Sequence, residues 1–327
     1  MTKSKPPVIF PPLIFNIFKP ARMSSYDVVR HFKRHLPKGY GKIGHFGTLD
    51  PFASGVLMIG IAGAARLNEF IHDNSPKTYL AVGKLGVETP TGDYTGEIIQ
   101  RDDSLYLKQE ISRFPLSFLQ ERISEKFVGD YLQAPHKFSA SKFMGRNMHQ
   151  WAREGVEVKK EPVLRHIYSI KVIKYTFPYL SFEVTASSGT YVRTLFTDIC
   201  NDLGTIGTLV ALTRTQVGLA SFRNALHPKD WPQEGQGQIM ERGSEVDSIL
   251  SFPRLKLTKD QAYGFQHGAF LKPCEFDIQD TNEKYYWVED SEKLLGLAHY
   301  INEKEIKPKI NFYQDEIAAP SSESDPQ

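Results

Sequence analysis

His45-Phe46-Gly47-Thr48-Leu49-Asp50-Pro51-Phe52-Ala53-Ser54-Gly55 contains a single carboxylate, Asp50, and no other acidic residue lies between Val28 and Ile61. Small residues crowd it (Gly47, Thr48, Ala53, Ser54, Gly55), so the backbone there can pass close to another group. Pro51 biases Asp50 toward an extended conformation and away from helix. Upstream stand Arg30, Lys33, Arg34, Lys38 and Lys42 with no compensating acid. A lone carboxylate in a basic, glycine-punctuated loop suits chemistry on a substrate that is itself an anion, and nucleic acid is the obvious polymer of that kind. Asp-Pro closing a surface turn is the commoner occurrence in proteins at large, so the rest of the chain has to decide.

Working outward, Ile14 to Ile17 reads as an opening strand that ends at Lys19-Pro20. Ser24 or Ser25 can cap a helix with Asp27 in its first turn; Val28, Val29, Phe32 and Leu36 recur at helical spacing, and Pro37 stops it. Gly55 to Ile61 is a short apolar strand just after the Asp50 loop, and Ala64 to Ile71 reads as helix. Tyr79 to Leu85 reads as a strand, and Gly92-Asp93 turns the chain into another from Glu97 to Gln100. Leu105 to Phe127 is largely helical. Leu180 to Ala186 alternates as a strand, and after Ser187-Ser188-Gly189 a helix carries Val192, Leu195, Phe196, Ile199 and Leu203 inward, with Gly204 at its end. Strands and helices are mixed without the regular alternation of a doubly wound sheet. That predicts an α+β fold with a mixed, largely antiparallel central sheet flanked by helices. A polar, glycine-rich stretch from Pro232 to Gly237 reads as a linker. Beyond Leu255, a helical piece (Asp260 to Phe265) and strands near Tyr285 to Val288 and Leu294 to Ala298 predict a small β-rich C-terminal domain.

Composition bounds the function. A chain of 327 residues with 40% hydrophobic and 24% charged residues is an ordinary globular protein. Its net charge is only +2, so affinity for nucleic acid must come from clustered charge. The segment from Gln314 to Gln327 has acids and no basic residue, which leaves the remainder more basic than the total. Cys200 and Cys274 cannot build a disulfide framework and lack metal-ligand spacing, which points to a reducing cytoplasm. The start is a poor signal peptide, because Pro6, Pro7, Pro11 and Pro12 interrupt its apolar run, and no stretch is long enough to cross a bilayer.

Four local sequences then act together. The first is the Asp50 loop. The second is Lys77-Thr78-Tyr79 followed by Gly86-Val87-Glu88-Thr89-Pro90-Thr91-Gly92-Asp93. The third is Gln133-Ala134-Pro135, then Phe138-Ser139-Ala140-Ser141-Lys142, Gly145 and Ala152-Arg153-Glu154-Gly155. The fourth is Ser188-Gly189-Thr190-Tyr191-Val192-Arg193-Thr194-Leu195, trailed by Leu203-Gly204 and Leu212-Thr213-Arg214. In this order and at these distances they resemble the bacterial tRNA pseudouridine-55 synthases, the TruB family, from about Ile14 to Gly218 and again from Val246 to about Phe312.

The resemblance implies a pseudouridine synthase fold carrying a C-terminal PUA-like RNA-binding domain. It implies that Asp50 attacks the target uridine so that the base detaches, turns and reattaches through C5. Tyr79 matches the tyrosine that stacks on the base and assists removal of the C5 proton, and Arg193 the arginine that pairs with the aspartate and keeps it ionised. Leu212 matches an apolar wall of the uracil pocket, and His45 the histidine beside the flipped nucleotides. Lys77 and Tyr191 fall in the same motifs and are expected at the substrate. The insertion at about 133–160 matches a thumb that closes on RNA, with Lys142, Arg146 and Arg153 as its phosphate contacts. The implied organisation is an N-terminal extension (1–13), a catalytic domain (14–249), a PUA-like domain (250–313) and an acidic tail (314–327). The implied partner is the tRNA T stem-loop; no cofactor or metal, no membrane and no obligatory protein partner are expected, and the protein is expected to be a cytoplasmic monomer.

The chemistry agrees with those residue types. Rearranging a base within a polynucleotide requires taking that nucleotide out of its stack, an attacking carboxylate must be ionised, and a tyrosine offers both a π-face and a phenol. Three first steps for Asp50 stay open: attack on the sugar, attack on the base, or removal of a sugar proton. Pro90, His136, His149 and Thr213 depart from the family's usual residues. The rival readings are a synthase subunit that needs a guide RNA, a nonenzymatic RNA-binding or RNA-chaperone protein, and a glycosidase, which would generally need a second carboxylate near Asp50.

Overall fold

The computed structural model describes residues 10–73, 75–134, 142–143, 146–147, 151, 154, 161–233, 237–276, 278 and 283–313. The chain opens with β1 (Leu13–Lys19), α1 (Ser25–His35), the short β2 (Gly44–His45) and β3 (Ser54–Gly60). There follow β4 (Lys77–Leu85), the short pair β5 (Val87–Glu88) and β6 (Gln100–Arg101), α2 (Leu105–Gln109), α3 (Leu116–Phe127) and β7 (Gly129–Gln133). A small hairpin, β8 (Lys142–Phe143) and β9 (Arg146–Asn147), precedes β10 (Val163–Thr176), β11 (Tyr179–Ala186), α4 (Val192–Asp202) and β12 (Gly207–Val217), with β13 (Ala220–Ser221) and β14 (Ser244–Glu245) after them. The C-terminal region contains β15 (Arg254–Lys256), α5 (Lys259–Gln266), β16 (Tyr285–Glu289), β17 (Leu294–Asn302) and β18 (Glu305–Asn311).

A ten-stranded sheet runs β14-β1-β3-β12-β4-β11-β10-β7, with β2 beside β3 and β13 beside β12. All its pairings are antiparallel except β3 with β12, so the mixed, largely antiparallel sheet expected from sequence is present. The β3–β12 crossing is unusually close. A Cβ on Gly55 would lie 2.1 Å from the Arg214 carbonyl oxygen, and Gly55 has φ +113°, so only glycine lets the strand after the Asp50 loop enter here. Helix α4 packs on β12 and β4 with its apolar stripe of Val192, Leu195, Phe196, Ile199 and Cys200. The Phe196 ring sits where a Cβ on Gly83 would be, and Cys200 Sγ where one on Gly207 would be. Two missing side chains thus seat the helix, and with it Arg193 in its first turn.

Helix α1 begins with a capping box, Ser24 and Asp27 each bonding the other's backbone N–H, and buries Val28, Val29 and Phe32. The span from 64 to 71, read as one helix, is instead a 3₁₀ turn, Ala64–Leu67, followed by a π-helical turn, Glu69–Asp73. Pro115 splits the predicted 105–127 helix, and the strand expected at 97–100 shrinks to Gln100–Arg101. Of the stretch from Pro232 to Gly237, read as a linker, residues 234–236 lie outside the described residues; Trp231 before it is buried and Ser244–Glu245 after it pairs with β1.

The C-terminal strands form a separate sheet, β15-β16-β17-β18, with β15 parallel to β16. Its buried Leu255, Phe265, Trp287 and Leu297 share one core with Ile14, Val56, Met58 and Phe70 of the large sheet's layer. A second core under α3 and α4 contains Leu49, Phe52, Tyr79 and Leu212, which places apolar support directly beneath the Asp50 loop. Among the described residues no helix is long and apolar enough to cross a membrane.

Candidate active site

The Asp50 loop is held from three sides. Lys19, fully buried at the end of β1, donates from Nζ to the carbonyls of Pro20 (3.0 Å), Met23 (2.6 Å) and Ala53 (2.6 Å). Arg214 of β12, equally buried, donates to Val56 O (2.8 Å), Thr48 O (3.3 Å) and Gly47 O (3.3 Å). From α1, Ser25 Oγ donates to Leu49 O at 3.1 Å and accepts the Leu49 N–H at 2.9 Å. Asp50 therefore projects from a loop whose carbonyls are satisfied by buried cations, of which Lys19 also favours its ionised form.

Arg193 meets Asp50. Its Nε lies 2.9 Å from Asp50 Oδ2, while Nη1 donates to Thr91 O at 2.8 Å and stands 3.4 Å from Asp93 Oδ2. One guanidinium thus lies between two carboxylates. A cation in the first turn of a helix opposes the helix dipole, and the two acids account for its being buried there. Burial is the leading influence on Asp50 and pushes its carboxyl above the ordinary range; Arg193 pulls it down, Asp93 pushes it up and Lys19 pulls it down. Pro90 directly precedes Thr91, whose carbonyl accepts from Arg193. Thr213, another departure, bonds Ser54 through the two hydroxyls at 3.0 Å.

A cavity of about 180 Å³ opens beside Asp50, lined among others by Leu49, His72, Lys77, Tyr79, Tyr191 and Arg214. Tyr79 is nearly buried on β4, opposite Val184 on one side and Arg214 on the other. Lys77 donates from Nζ to His72 O (2.8 Å) and Ser75 O (3.2 Å). Tyr191 precedes α4, and the buried Gln133 side chain takes both its backbone groups, accepting from N at 2.8 Å and donating to O at 3.0 Å. Larger cavities exist, but the 750 Å³ one near Pro11 sets five acids, Glu245, Asp247, Glu289, Asp290 and Glu292, against Arg254, Lys256 and Lys293, a poorer surface for a polyanion.

Of the residues singled out from sequence, Asp50, Tyr79, Lys77 and Tyr191 line this cavity and Arg193 contacts Asp50. Leu212 lies in the supporting core, two residues before Arg214 on the same strand, and does not line the cavity. His45 is also off the lining; burial and then Arg214 lower its pKa, which favours the neutral ring, and its buried Nδ1 has no hydrogen-bond partner among the described residues. Lys142 and Arg146 stand on the β8–β9 hairpin. Arg153, His136, His149, most of the insertion, residues 1–9 and the 314–327 tail lie outside the described residues. Lys19, His72, Asp93 and Arg214 were not singled out as site residues, since nothing in local spacing shows that positions 19, 93, 193 and 214 converge on Asp50.

Comparison with known proteins follows the same lines. The family described as TruB family pseudouridylate synthase (N terminal domain) matches residues 33–192, a span that includes Asp50 and Tyr79. The chain is 37% identical over 292 residues to tRNA pseudouridine synthase B of Clostridium tetani, covering 89% of this chain and 96% of that one. It is 40% identical over 243 residues to tRNA pseudouridine synthase B of Geotalea uraniireducens, covering 74% and 73%. In fold it is similar to a chain of the crystal structure of a Cbf5-Nop10-Gar1 complex, with TM-score 0.62, 19% identity and coverage of 93% and 86%. By sequence, this chain belongs to the TruB family of pseudouridine synthases, enzymes of the isomerase class.

Proposed function

We propose that this enzyme converts uridine 55 in the T loop of tRNA to pseudouridine, acting alone, as a monomer and without metal or organic cofactor. The observation that carries the reading is the Asp50–Arg193 pair at 2.9 Å beside a cavity with Tyr79 on its wall. The cavity is suited to one extruded base and not to a stacked strand, in keeping with chemistry that needs the nucleotide flipped. The reaction is an isomerisation. The bond between C1′ and N1 breaks, one between C1′ and C5 forms, the C5 proton leaves and N1 gains a proton, so no atoms are exchanged overall. Asp50 is the nucleophile, and Arg193 with Lys19 favours its ionised form against the opposing pull of burial and Asp93. Tyr79 supplies a stacking face and a phenol for the C5 proton. Leu212 supports the apolar side of the pocket, while His45, Lys77 and Tyr191 face the flipped nucleotide and its neighbours. Residues 14–249 form the catalytic unit, with Lys142, Arg146 and Arg153 of the 133–160 insertion on RNA phosphates, and residues 250–313 form an RNA-binding unit.

Purified protein incubated with an unmodified tRNA transcript, with pseudouridine then mapped by position, tests this directly. Product at the T-loop uridine from the protein alone is expected, and Asp50→Asn should bind the same tRNA with no turnover. Product that appears only with a guide RNA, or turnover by a verified Asn variant, would overturn the reading.

A further inference from the structure

The π-helical turn Glu69–Asp73 connects two parts of the molecule that the chemistry above treats separately. At one end, Glu69 pairs with Lys309 of β18 at 2.8 Å, and the Phe70 ring packs edge-on against Tyr285 of β16, centroids 4.8 Å apart. At the other end, His72 lines the Asp50 cavity. Its Nε2 shares a hydrogen bond of 3.2 Å with Ser188 Oγ, in the turn that leads to Tyr191 and Arg193. Its ring also lies against Gly47 so closely that a Cβ there would be 2.5 Å from Nδ1. A residue with a Cβ at position 47 would drive the ring away, and Gly47 adopts φ +87° besides. The His72 carbonyl, in turn, accepts from Lys77. This turn presses an imidazole between the loop that carries Asp50 and the turn that leads into the helix of Arg193.

We propose that His72 is a positioning residue of this active site: by bridging Gly47 and Ser188 it sets the separation across which Asp50 and Arg193 meet, on a strut anchored by the C-terminal sheet. The inference rests on the isomerisation proposed above, since the geometry it controls is that of Asp50. Removing the imidazole leaves the cavity and its RNA-binding surface in place but lets the two segments shift, and small displacements of reacting groups are costly in rate.

The test is single-turnover conversion of an unmodified T stem-loop by the full chain, with RNA affinity and melting temperature measured alongside. His72→Leu fills the space without the hydrogen bond, and one such bond corresponds to about a five- to tenfold slowing. Affinity should stay within about twofold, because the loss falls on the chemical step. His72→Gln, which keeps a polar group in reach of Ser188, should recover most of the rate. Ser188→Ala should slow the reaction as His72→Leu does, and the double variant should be no slower than either, since both remove one bridge. Ser188→Ala deletes a single hydroxyl and keeps the test decisive if His72→Leu lowers the melting temperature. A wild-type rate for His72→Leu, slowings that multiply in the double variant, or a loss of affinity at unchanged rate would each overturn the proposal. Mapping the product separates the two readings: product at another uridine overturns the T-loop assignment, and the ratio of variant to wild-type rate decides on His72 in either case.

Discussion

Replacing Lys19 by methionine tests how the loop beneath Asp50 is held. The Lys19 ammonium is fully buried and donates to the carbonyls of Pro20, Met23 and Ala53. Methionine keeps the apolar stem and leaves these carbonyls without that donor; hydrogen bonds to a charged group contribute about 1.5–3 kcal/mol each. Opposing this is the cost of burying the ammonium. Burial pulls the Lys19 pKa from 10.5 to about 8, with Asp50 partly resisting the fall. At about 1.4 kcal/mol for each pH unit, that gap corresponds to about 3 kcal/mol. The net expectation near neutral pH is a variant less stable by about 1.5–6 kcal/mol, with lower turnover because Ala53 sits just beyond Asp50.

The pH dependence gives the sharper measurement. Below about pH 8 the lysine is protonated in the folded and unfolded chains alike, so the wild-type protein bears the whole cost of the buried charge. Between about 8 and 10.5 the unfolded chain keeps a proton that the folded chain has lost. Wild-type stability therefore gains up to about 3 kcal/mol from this group as the pH rises through that window. The methionine variant has no such gain. Urea unfolding of both proteins at about pH 7 and about pH 10 should show a wild-type advantage that widens with pH. An advantage that stays constant would refute the depressed pKa, and equal stability near neutral pH would show that the three hydrogen bonds contribute nothing net.

Arg193→Met removes the guanidinium that opposes burial and Asp93 at Asp50, so the Asp50 carboxyl should move further up and the acidic limb of the pH–rate profile should shift to higher pH. It also strips the buried Asp93 of its cation, which should lower stability by about 3–5 kcal/mol; an unchanged profile at near-normal rate would show that the pair does not matter. Tyr79→Phe keeps the ring and loses the phenol, so kcat should fall by about 10²–10⁴ while tRNA affinity changes little. A variant that turns over like wild type would remove the tyrosine's proton role. Alanine at Lys142, Arg146 and Arg153 together should flatten the slope of log affinity against log salt by about one unit for each phosphate that the protein no longer neutralises, and an unaltered slope would place these side chains away from the RNA backbone.

Much of the fold was legible because local physics was sufficient to specify it. The capping box at Ser24 and Asp27 and the apolar spacing of Val28, Val29 and Phe32 specify α1, and regular alternation from Leu180 to Ala186 specifies β11. The longest strands were harder to see for a definite reason. β10 carries register shifts between Ile167 and Ser169 and between Val172 and Lys174, each of which breaks the inward–outward alternation that marks a strand. Between the two shifts, β10 has run past its β7 neighbour, which pairs it only as far as Ile167, and the Gln120 side chain stands in there, donating to Ile170 O at 3.0 Å and accepting from Val172 N at 2.7 Å. β12 has two shifts of its own, around Ala211 and Gln216.

The site divides in the same way. Asp50, isolated among basic and small residues, stands out by itself in the chain, and four motifs in register suffice to place it in its family. What no spacing reveals is which cation serves which oxygen. Lys19, Asp93 and Arg214 are separated by dozens of residues and come together only because β1, β3, β12 and β4 lie side by side, with Gly55 permitting the closest crossing. Each of their roles is a matter of a few hydrogen bonds and of exclusion from water. Those are properties of the packed sheet, and an Asp–Arg contact between positions 50 and 193 acquires its direction of pKa shift only there, where burial works against the guanidinium and a second carboxylate shares it.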